Sequence, residues 1–570
     1  MKRSTLVIEI AGLLFLAALG IWLRWPGMFT EGFHNEDAAG ITYNADLLRH
    51  GLIPMVDSHE HKAPASFFLA YFAWEVLGRS IASLQQVAAG WALLAALGMW
   101  LGARLLTGSR RAAFLAALLY TVCSPITDSI DINYVAWMIT PYIWASVACI
   151  AALKSGRLRW WFASGFLIAL AALMKHPAGL VFPLFLGLLL ARSLPRPTGW
   201  APGVDRKRGL VALFGGLAAG FSVLGFYYLA VGEPGAFIRT FFFSEGGWKY
   251  AAQTEIDGGD KLVRLWDGVL GFIEYMALPS VLAVLGAVWT PRGERLTVRS
   301  VFLVGHFVCS FGGLAIGFRF FKGYYLQMLP VALWLAVLPW GPLLRWAGAR
   351  RVVWWKTALA ALLVVGPVVP AAWADLRELS QIRKIRQRPV DLDVQRIGRI
   401  IRTHTTEADT IWVWGRWGWP AYFHADRLAA SVHYKVMGVL TTNLTNTWRR
   451  PTAQTRFIHG EAEQTLMQDL RRNRPTFIVV SHNEDYKDFK DFRKLLREEY
   501  RPAPGFTTRR FNLYLRKDHP WKEAPKPKRP TRPKLPVIKR PGPATVVSAP
   551  PSAPPSAPPS APTSSPNSAP

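Results

Sequence analysis

The chain has 570 residues, 51% of them hydrophobic, and a net charge of +29. Apolar runs of about 20 residues, the length that crosses a bilayer core, recur as far as residue 374, which excludes an ordinary soluble protein. The basic residues lie mainly between these runs and in the C-terminal tail, so membrane topology and anionic lipid explain the charge better than nucleic acid, which we do not expect as a partner.

The first apolar run, residues 5–24, follows Lys2 and Arg3 as in a signal peptide. Arg24-Trp25-Pro26 stands where a small-residue cleavage site would be needed, so we interpret the run as a retained first helix. The pattern predicts an α-helical polytopic membrane protein with about eleven transmembrane helices. The predicted spans are 5–24, 82–106, 112–127, 134–153, 160–174, 177–191, 209–231, 267–289, 300–317, 325–344 and 357–374.

The loop charges support this threading. Lys175-His176-Pro177 separates the fifth and sixth spans, because proline interrupts a helix and polar side chains are costly at the bilayer centre. With a cytoplasmic N-terminus, the loops on that side carry most of the basic residues, whereas residues 128–133 carry none and 318–324 carry only Arg319 and Lys322. This alternation follows the positive-inside rule and predicts that residues 375–570 lie outside the cytoplasm. Together with the composition rich in Ala, Arg and Trp and the Pro-rich tail, it suits a bacterial inner membrane.

Residues 1–374 therefore form a predicted transmembrane domain with long external loops at 25–81 and 232–266, and long loops are usually functional. The apolar pattern of residues 390–517 predicts a small external α/β domain, with a helix over 391–403 and buried strands at 410–414 and 476–480. The aromatic segment 412–419 suits either a strand-turn core, which we favour, or a sugar or lipid site. Residues 519–570 are rich in Lys, Arg and Pro and then in Pro, Ser and Ala, which predicts a disordered tail.

The first external loop carries the densest polar sequence. Apolar residues at helical spacing between Ala38 and Leu48 predict an amphipathic helix on the membrane surface. Glu36 and Asp37 stand at its N-terminus, where acidic side chains are favourable through the helix dipole and where a general base would also be wanted. His59-Glu60-His61 is a weak metal pattern, because histidines two apart diverge on a helix. No metal or other cofactor is indicated.

Several of these residues resemble the glycosyltransferase-C superfamily, in the branch of the protein mannosyltransferases and the lipid A aminoarabinose transferase. Members carry an early acidic pair, here Glu36-Asp37, then a Gly-x-x-Pro-Tyr-x-Asp stretch and a Lys-Pro-Pro-like signature. The second element is residues 51–57, with Met55 for Tyr, and the third is residues 60–64, with Ala63 for Pro. Lys175 and residues 319–325 are also similar, with Gly323 where the family often has His.

The resemblance implies an enzyme that moves a sugar from a polyprenyl-phosphate donor to a lipid, protein or glycan acceptor at the external membrane face. It implies Asp37 or Glu36 as the base, and cations to offset the charge of the phosphate leaving group. The predicted substrate-binding residues are Asp57, His61, Lys62, Lys175, Arg319, Lys322 and Tyr324. Asp57 is alternatively a turn cap, and Arg319 and Lys322 are alternatively interfacial anchors. A secondary transporter and a non-catalytic scaffold are the competing functions.

Overall fold

The structure is a computed structural model. It describes residues 3–521 apart from 192, 202, 244–257, 290–296, 340–353, 388–389, 437–439, 444–454, 483–484, 505 and 507. Residues Met1–Trp521 form one compact unit. The predicted disordered tail lies outside the described residues except for positions 519–521.

The described chain is largely helical before residue 390. The helices are α1 Arg3–Met28, α2 Glu36–Arg49, α3 Ala65–Leu77, α4 Ile81–Thr107, α5 Arg110–Cys123, α6 Tyr134–Ser155, α7 Leu158–Met174, α8 Phe182–Leu190, α9 Arg206–Ala230, α10 Pro234–Phe242, α11 Gly258–Tyr275, α12 Ala277–Trp289, α13 Val298–Ala315, α14 Leu329–Val337 and α15 Trp354–Arg386. Short 3₁₀ helices cover Ser124–Thr127, His176–Val181 and Lys322–Gln327.

Local capping sets several of these boundaries. The Ser80 hydroxyl accepts the amide of Ser83 at 2.9 Å at the start of α4, and the Asn133 side chain accepts the amide of Ala136 at 2.7 Å at the start of α6. Helix α4 ends at Gly108, whose φ of 68° lies in the left-handed region that favours glycine. The observed bounds of α4 and α6 lie within two residues of the predicted spans 82–106 and 134–153.

Five described helices are long and apolar enough to cross a membrane, and the paired helices α11 and α12 would make six. The five are Leu6–Met28, Ile81–Thr107, Tyr134–Ser155, Arg206–Ala230 and Val298–Ala315. Helices Leu158–Met174 and His176–Leu190 are apolar but shorter. A helical, membrane-type fold is therefore confirmed, and the count of eleven spans stays a prediction.

One predicted span is wrong as a single helix. The predicted helix over 267–289 is two helices, which meet at Met276 at an angle of 100°. Pro279 lies in the first turn of α12, where proline is tolerated because the amides of a first turn have no partner within the helix. The Asp375 carboxylate of α15 accepts the amide of Leu278 at 3.2 Å, so a distant side chain satisfies a backbone group freed by the bend.

Residues 390–521, named here the α/β region, contain α16 Leu392–His404, α17 Pro420–Ala425, α18 Glu461–Asn473 and α19 Lys490–Glu499. The strands are β1 Ile411–Trp414, β2 Thr441–Asn443, β3 Thr455–Phe457, β4 Phe477–Ser481, β5 Tyr500–Pro502 and β6 Phe511–Arg516. One sheet has the order β1-β4-β6-β5, with β1 and β4 parallel and the other pairs antiparallel; β2 and β3 form a second, antiparallel pair. Helix α16, β1 and β4 match the predicted elements closely.

The aromatic segment divides between the core and the surface. Trp412 and Trp414 are fully buried and pack against Phe492 of α19, with ring centroids 5.1 and 5.7 Å apart. Trp417, in contrast, is 42% exposed. The strand tryptophans thus belong to the hydrophobic core, as the favoured interpretation of this segment expected.

Helix α2 is buried on more than its apolar face. Thr42, Asn44 and Asp46 are all buried, although they lie outside the apolar face formed by Ala38, Ile41, Ala45 and Leu48. The Arg79 guanidinium pairs with Asp46 at 2.6 Å, and the Tyr43 ring stacks on Tyr434 of the α/β region at 4.2 Å. The polar side of this helix is therefore covered by Arg79 and by the α/β region, and its position at the membrane surface stays a prediction.

Candidate active site

The start of α2 places a carboxylate beside a lysine. The Asn35 side chain caps the helix by accepting the amide of Ala38 at 2.9 Å, so Glu36 and Asp37 form its first turn. Lys62 donates a hydrogen bond to the Asp37 carboxylate, and the two side chains remain 29% and 45% exposed. The Lys62 ammonium also lies 4.5 Å from the centre of the Tyr134 ring. The side chain of Glu36 lies outside the described part of the chain.

Asp37 and Lys62 face a cavity that is open to solvent, named here the main cavity. Six of the nine residues predicted from the sequence line it: Asp37, His61, Lys62, Lys175, Arg319 and Tyr324. Its apolar wall includes Val135, Met138, Met174, Leu314 and Ile316. Segments that are distant in sequence therefore bring a carboxylate, cations and an apolar surface to one place.

Lys175 enters the main cavity from the break between α7 and the following 3₁₀ helix. Its backbone is extended, with φ of −158°, and its ammonium lies 3.6 Å from the centre of the Tyr324 ring. Burial lowers the pKa of Lys175 to about 7, with the neighbouring Asp37 carboxylate acting in the opposite direction. This lysine therefore changes charge near neutral pH.

Arg319 supplies a second cation and is only 5% exposed. It stands between Phe318 and Phe320, whose φ angles of 49° and 47° lie in the left-handed region. Such conformations cost about 1–3 kcal/mol each for residues other than glycine, and they persist only where the surrounding structure enforces them. The backbone is thus held in an unfavourable shape at the residue that brings a guanidinium to the main cavity.

Two predicted residues lie away from this lining. The Asp57 carboxylate accepts the amide of Ile53 at 2.6 Å, which is the turn-capping contact that the sequence offered as its alternative role. Lys322 pairs with Glu378 of α15 at 2.5 Å and lies 5.6 Å from the Tyr275 ring. The 3₁₀ helix that begins at Lys322 brings Tyr324 to the main cavity while Lys322 contacts α15.

Three residues that support this site, Glu60, Tyr434 and Lys435, are not among the predicted site residues, although Glu60 belongs to the 60–64 signature. Glu60 is buried directly behind Lys62, and it receives hydrogen bonds from Tyr434, at 2.5 Å, and from Lys435. Burial lowers the pKa of Lys435 to about 8, and the Glu60 charge opposes that shift. No local pattern signals these contacts, because Glu60 and Lys435 are 375 positions apart.

The described residues contain no cluster of side chains that could coordinate a metal ion. Nowhere in that part of the chain do three or more His, Cys, Asp or Glu side chains gather in a way that could hold an ion. The two histidines of the predicted weak pattern separate: His61 lines the main cavity, and the His59 ring lies 5.3 Å from the ring of His433. Burial lowers the pKa of His61 well below its ordinary value.

Comparisons with known proteins relate the chain to one family model and to one fold. The family model for dolichyl-phosphate-mannose-protein mannosyltransferase matches residues 61–204. The crystal structure of ArnT from Cupriavidus metallidurans bound to undecaprenyl phosphate is 13% identical, with a TM-score of 0.56, covering 90% of this chain and 98% of that one. The chain has the glycosyltransferase-C fold. The resemblance to the protein mannosyltransferases is confirmed as a resemblance over residues 61–204, and the similarity to ArnT is one of fold.

A second glycosyltransferase-C structure shares the fold. The Archaeoglobus fulgidus oligosaccharyltransferase, tethered with an acceptor peptide, is 13% identical, with a TM-score of 0.53. The alignment covers 89% of this chain and 74% of that protein. A comparison with curated proteins gives no match.

Gly323, where the family often has His, lies against the side chain of Asp128. A Cβ atom at this position would lie 2.9 Å from a carboxylate oxygen of Asp128, so the histidine often found in the family would displace that side chain. Burial raises the pKa of Asp128 to about 6, and Lys322 partly offsets the shift. Asp128 thus occupies space that a larger residue at position 323 would need.

Proposed function

We propose that the protein is a membrane glycosyltransferase that moves a sugar from a polyprenyl-phosphate donor to an acceptor at the external, periplasmic face of the inner membrane. The main cavity carries this proposal, because it joins the Asp37 carboxylate to three cations, Lys62, Lys175 and Arg319. One surface therefore offers both a proton acceptor and positive charge for a phosphate. The acceptor is a lipid, a protein or a glycan.

The cations suit a phosphate leaving group. Negative charge grows on the phosphate as its bond to the sugar breaks, and preorganised positive groups stabilise that charge most in the transition state. Lys62, Lys175 and Arg319 approach the main cavity from three separate segments. The apolar wall formed by Val135, Met138, Leu314 and Ile316 suits the first units of a prenyl chain. Undecaprenyl phosphate is bound to the similar ArnT structure.

Asp37 suits the role of general base. In the reaction the acceptor oxygen or nitrogen forms a bond to the anomeric carbon, the phosphate leaves with the electron pair of the broken bond, and Asp37 takes the acceptor proton. Lys62 donates a hydrogen bond to the Asp37 carboxylate. A donor phosphate competes for Lys62, and its arrival would release a carboxylate oxygen to receive that proton.

Transfer of radiolabelled sugar tests the proposal. The purified full-length protein in detergent is incubated with radiolabelled polyprenyl-phosphate sugars, and labelled product or released sugar is measured. We expect turnover by the wild-type protein and its loss in Asp37→Asn, which keeps the size of the side chain but cannot accept the proton. Equal release of label by both proteins would contradict the assigned base. Failure of the wild type to bind undecaprenyl phosphate would contradict the donor class.

A further inference from the structure

The α/β region touches the first external loop at Tyr434 and Lys435. The Tyr434 hydroxyl donates to Oε2 of Glu60 at 2.5 Å, and the Lys435 ammonium donates to Oε1. The side chains of Glu60 and Lys435 are 1% and 3% exposed, so this ion pair is shielded from water. Glu60 lies immediately before two residues of the main cavity, His61 and Lys62.

Glu60 also holds the backbone of those two residues. Its Oε1 atom accepts the amide of His61 at 2.9 Å and the amide of Lys62 at 3.1 Å. An ionised carboxylate accepts several hydrogen bonds and makes stronger ones than a neutral group. The conformation from which the Lys62 side chain reaches the main cavity therefore depends on a charged Glu60.

The charge of Glu60 depends in turn on Lys435. Burial alone would raise the pKa of Glu60, but the Lys435 and Lys62 charges more than offset it, so its pKa lies below the ordinary value. A buried carboxylate without such a partner takes up a proton or forces a rearrangement. Removal of the Lys435 charge would leave Glu60 a poorer acceptor for the amides of His61 and Lys62.

Tyr434 also contacts helix α2, which precedes this loop. Its ring stacks on Tyr43 of α2 at 4.2 Å, and its hydroxyl lies 3.3 Å from the Asn44 side chain. The Asn44 side chain in turn accepts the hydroxyl of Ser58 at 2.6 Å. Tyr434 thus contacts both the helix that carries Asp37 and the loop segment that carries Lys62.

We propose that Tyr434 and Lys435 are positioning residues of the donor site, through which the α/β region holds Lys62 in place by way of Glu60. The inference rests on the proposed function, since it assigns these two residues to the site that binds the donor phosphate. The α/β region is then part of the catalytic unit, because the donor site is correctly formed only with its contacts in place.

Binding of undecaprenyl phosphate to the purified full-length protein tests this role. Lys435→Met removes the charge and keeps the length, whereas Lys435→Arg keeps the charge. Lys487→Met is the matched control, because Lys487 belongs to the same region and its side chain is 82% exposed. We expect Lys435→Met to weaken binding by about tenfold or more, the scale of one lost charge-assisted contact, with Lys435→Arg close to wild type and Lys487→Met unchanged.

Kinetics separate positioning from general damage. In transfer assays Lys435→Met should raise KM for the donor more than it lowers kcat, since Asp37 is unaltered. If Lys435→Met does not fold, Tyr434→Phe removes a single neutral hydroxyl and should weaken undecaprenyl phosphate binding about two- to tenfold. Wild-type affinity in a folded Lys435→Met, or in Tyr434→Phe where Lys435→Met does not fold, would overturn the inference.

The pH dependence of binding gives an independent readout. The charged and titratable groups that act on Lys435 are Glu60, Lys62, Asp37 and His61, which lie on α2 and on the loop after it. As the pH rises through about 8, Lys435 loses its proton and binding should weaken, whereas Lys435→Arg keeps its charge. Lys175 titrates in both proteins, so the difference between the two profiles isolates position 435. Superimposed profiles would contradict the assignment.

The two proposals fail in different ways. If the wild-type protein binds no undecaprenyl phosphate, the proposed function fails. If the wild type binds it and Lys435→Met and Tyr434→Phe bind it equally well, only the positioning role fails.

Discussion

Two lysine–carboxylate pairs stand on either side of the same loop and differ in their access to water. Asp37 and Lys62 line the main cavity, with side chains 45% and 29% exposed, whereas Glu60 and Lys435 behind them are 1% and 3% exposed. An exposed pair is worth little and can open for a ligand. A buried pair is costly to break, because the partner that remains is left charged without compensation. The first pair thus suits chemistry, and the second suits support.

The largest effect is expected at the exposed pair. Asp37→Asn should reduce turnover by about 10²–10⁴-fold, the range of general base catalysis, while donor binding is retained. Glu36→Gln is the internal control, and we expect the smaller effect there. Normal turnover in Asp37→Asn with an inactive Glu36→Gln would show that the acidic roles are exchanged. Normal turnover in both variants would show that the carboxylates only stabilise the start of α2.

The buried pair should dominate stability. Lys435→Met should lower the free energy of unfolding by about 3–5 kcal/mol, since it leaves Glu60 buried without its main partner. Lys62→Met should lower it by about 1 kcal/mol or less. Unfolding in detergent measures both, and the double variant Glu60→Gln with Lys435→Met should recover part of the loss. Equal losses at Lys62 and Lys435 would remove the distinction between the pairs.

Donor binding should depend on the cations of the main cavity. Lys62→Ala and Arg319→Ala should each weaken undecaprenyl phosphate binding by about 10- to 100-fold, the value of a hydrogen bond to a charged group. Binding is measured by titration of purified protein. Lys322→Ala is the matched control, because Lys322 pairs with Glu378 and does not line the main cavity. An equal loss in Lys322→Ala would show a general effect of external charge.

Lys175 should give donor binding a pH dependence near neutrality. The protonated side chain attracts the phosphate, and its pKa is about 7, so affinity should be highest below pH 7 and fall as the pH rises through that value. Lys175→Arg keeps its charge and should flatten the profile between about pH 6 and 7.5. Ionisation of the phosphate itself is common to both proteins. An unchanged profile would exclude Lys175 as the titrating group.

The smallest effect is expected from the tail. Truncation after Trp521 should leave turnover in detergent nearly intact, because the residues beyond it have few apolar side chains with which to form a core. Truncation after Lys517 would also remove Asp518, which pairs with Arg474 at 2.9 Å, and Trp521, which stacks on His404 at 4.1 Å. It should therefore cost some stability, measured by thermal unfolding. Loss of turnover in the protein truncated after Trp521 would show that the tail is part of the enzyme.

The amino-acid sequence by itself determined the elements that depend on neighbouring residues. Apolar runs predicted the membrane helices, and the apolar strings ending at Trp414 and Val480 predicted two buried strands, which the structure pairs in parallel. The short polar motifs indicated nine candidate site residues, and six of them line one cavity. Periodicity, capping and turn chemistry act within a few positions, so a local pattern is enough to find them.

Only the tertiary structure decided the contacts between distant segments. Asp375 supports the bend at Met276 from 97 positions beyond Leu278, and Lys435 reaches Glu60 across 375 positions. Helix α2 has an amphipathic sequence but is buried on its polar side as well, because Tyr43 and Asn44 meet Tyr434 there. The hydrophobic pattern of a segment indicates which of its apolar side chains are buried. It does not report which distant side chain will satisfy its polar groups, since that depends on how the whole chain packs.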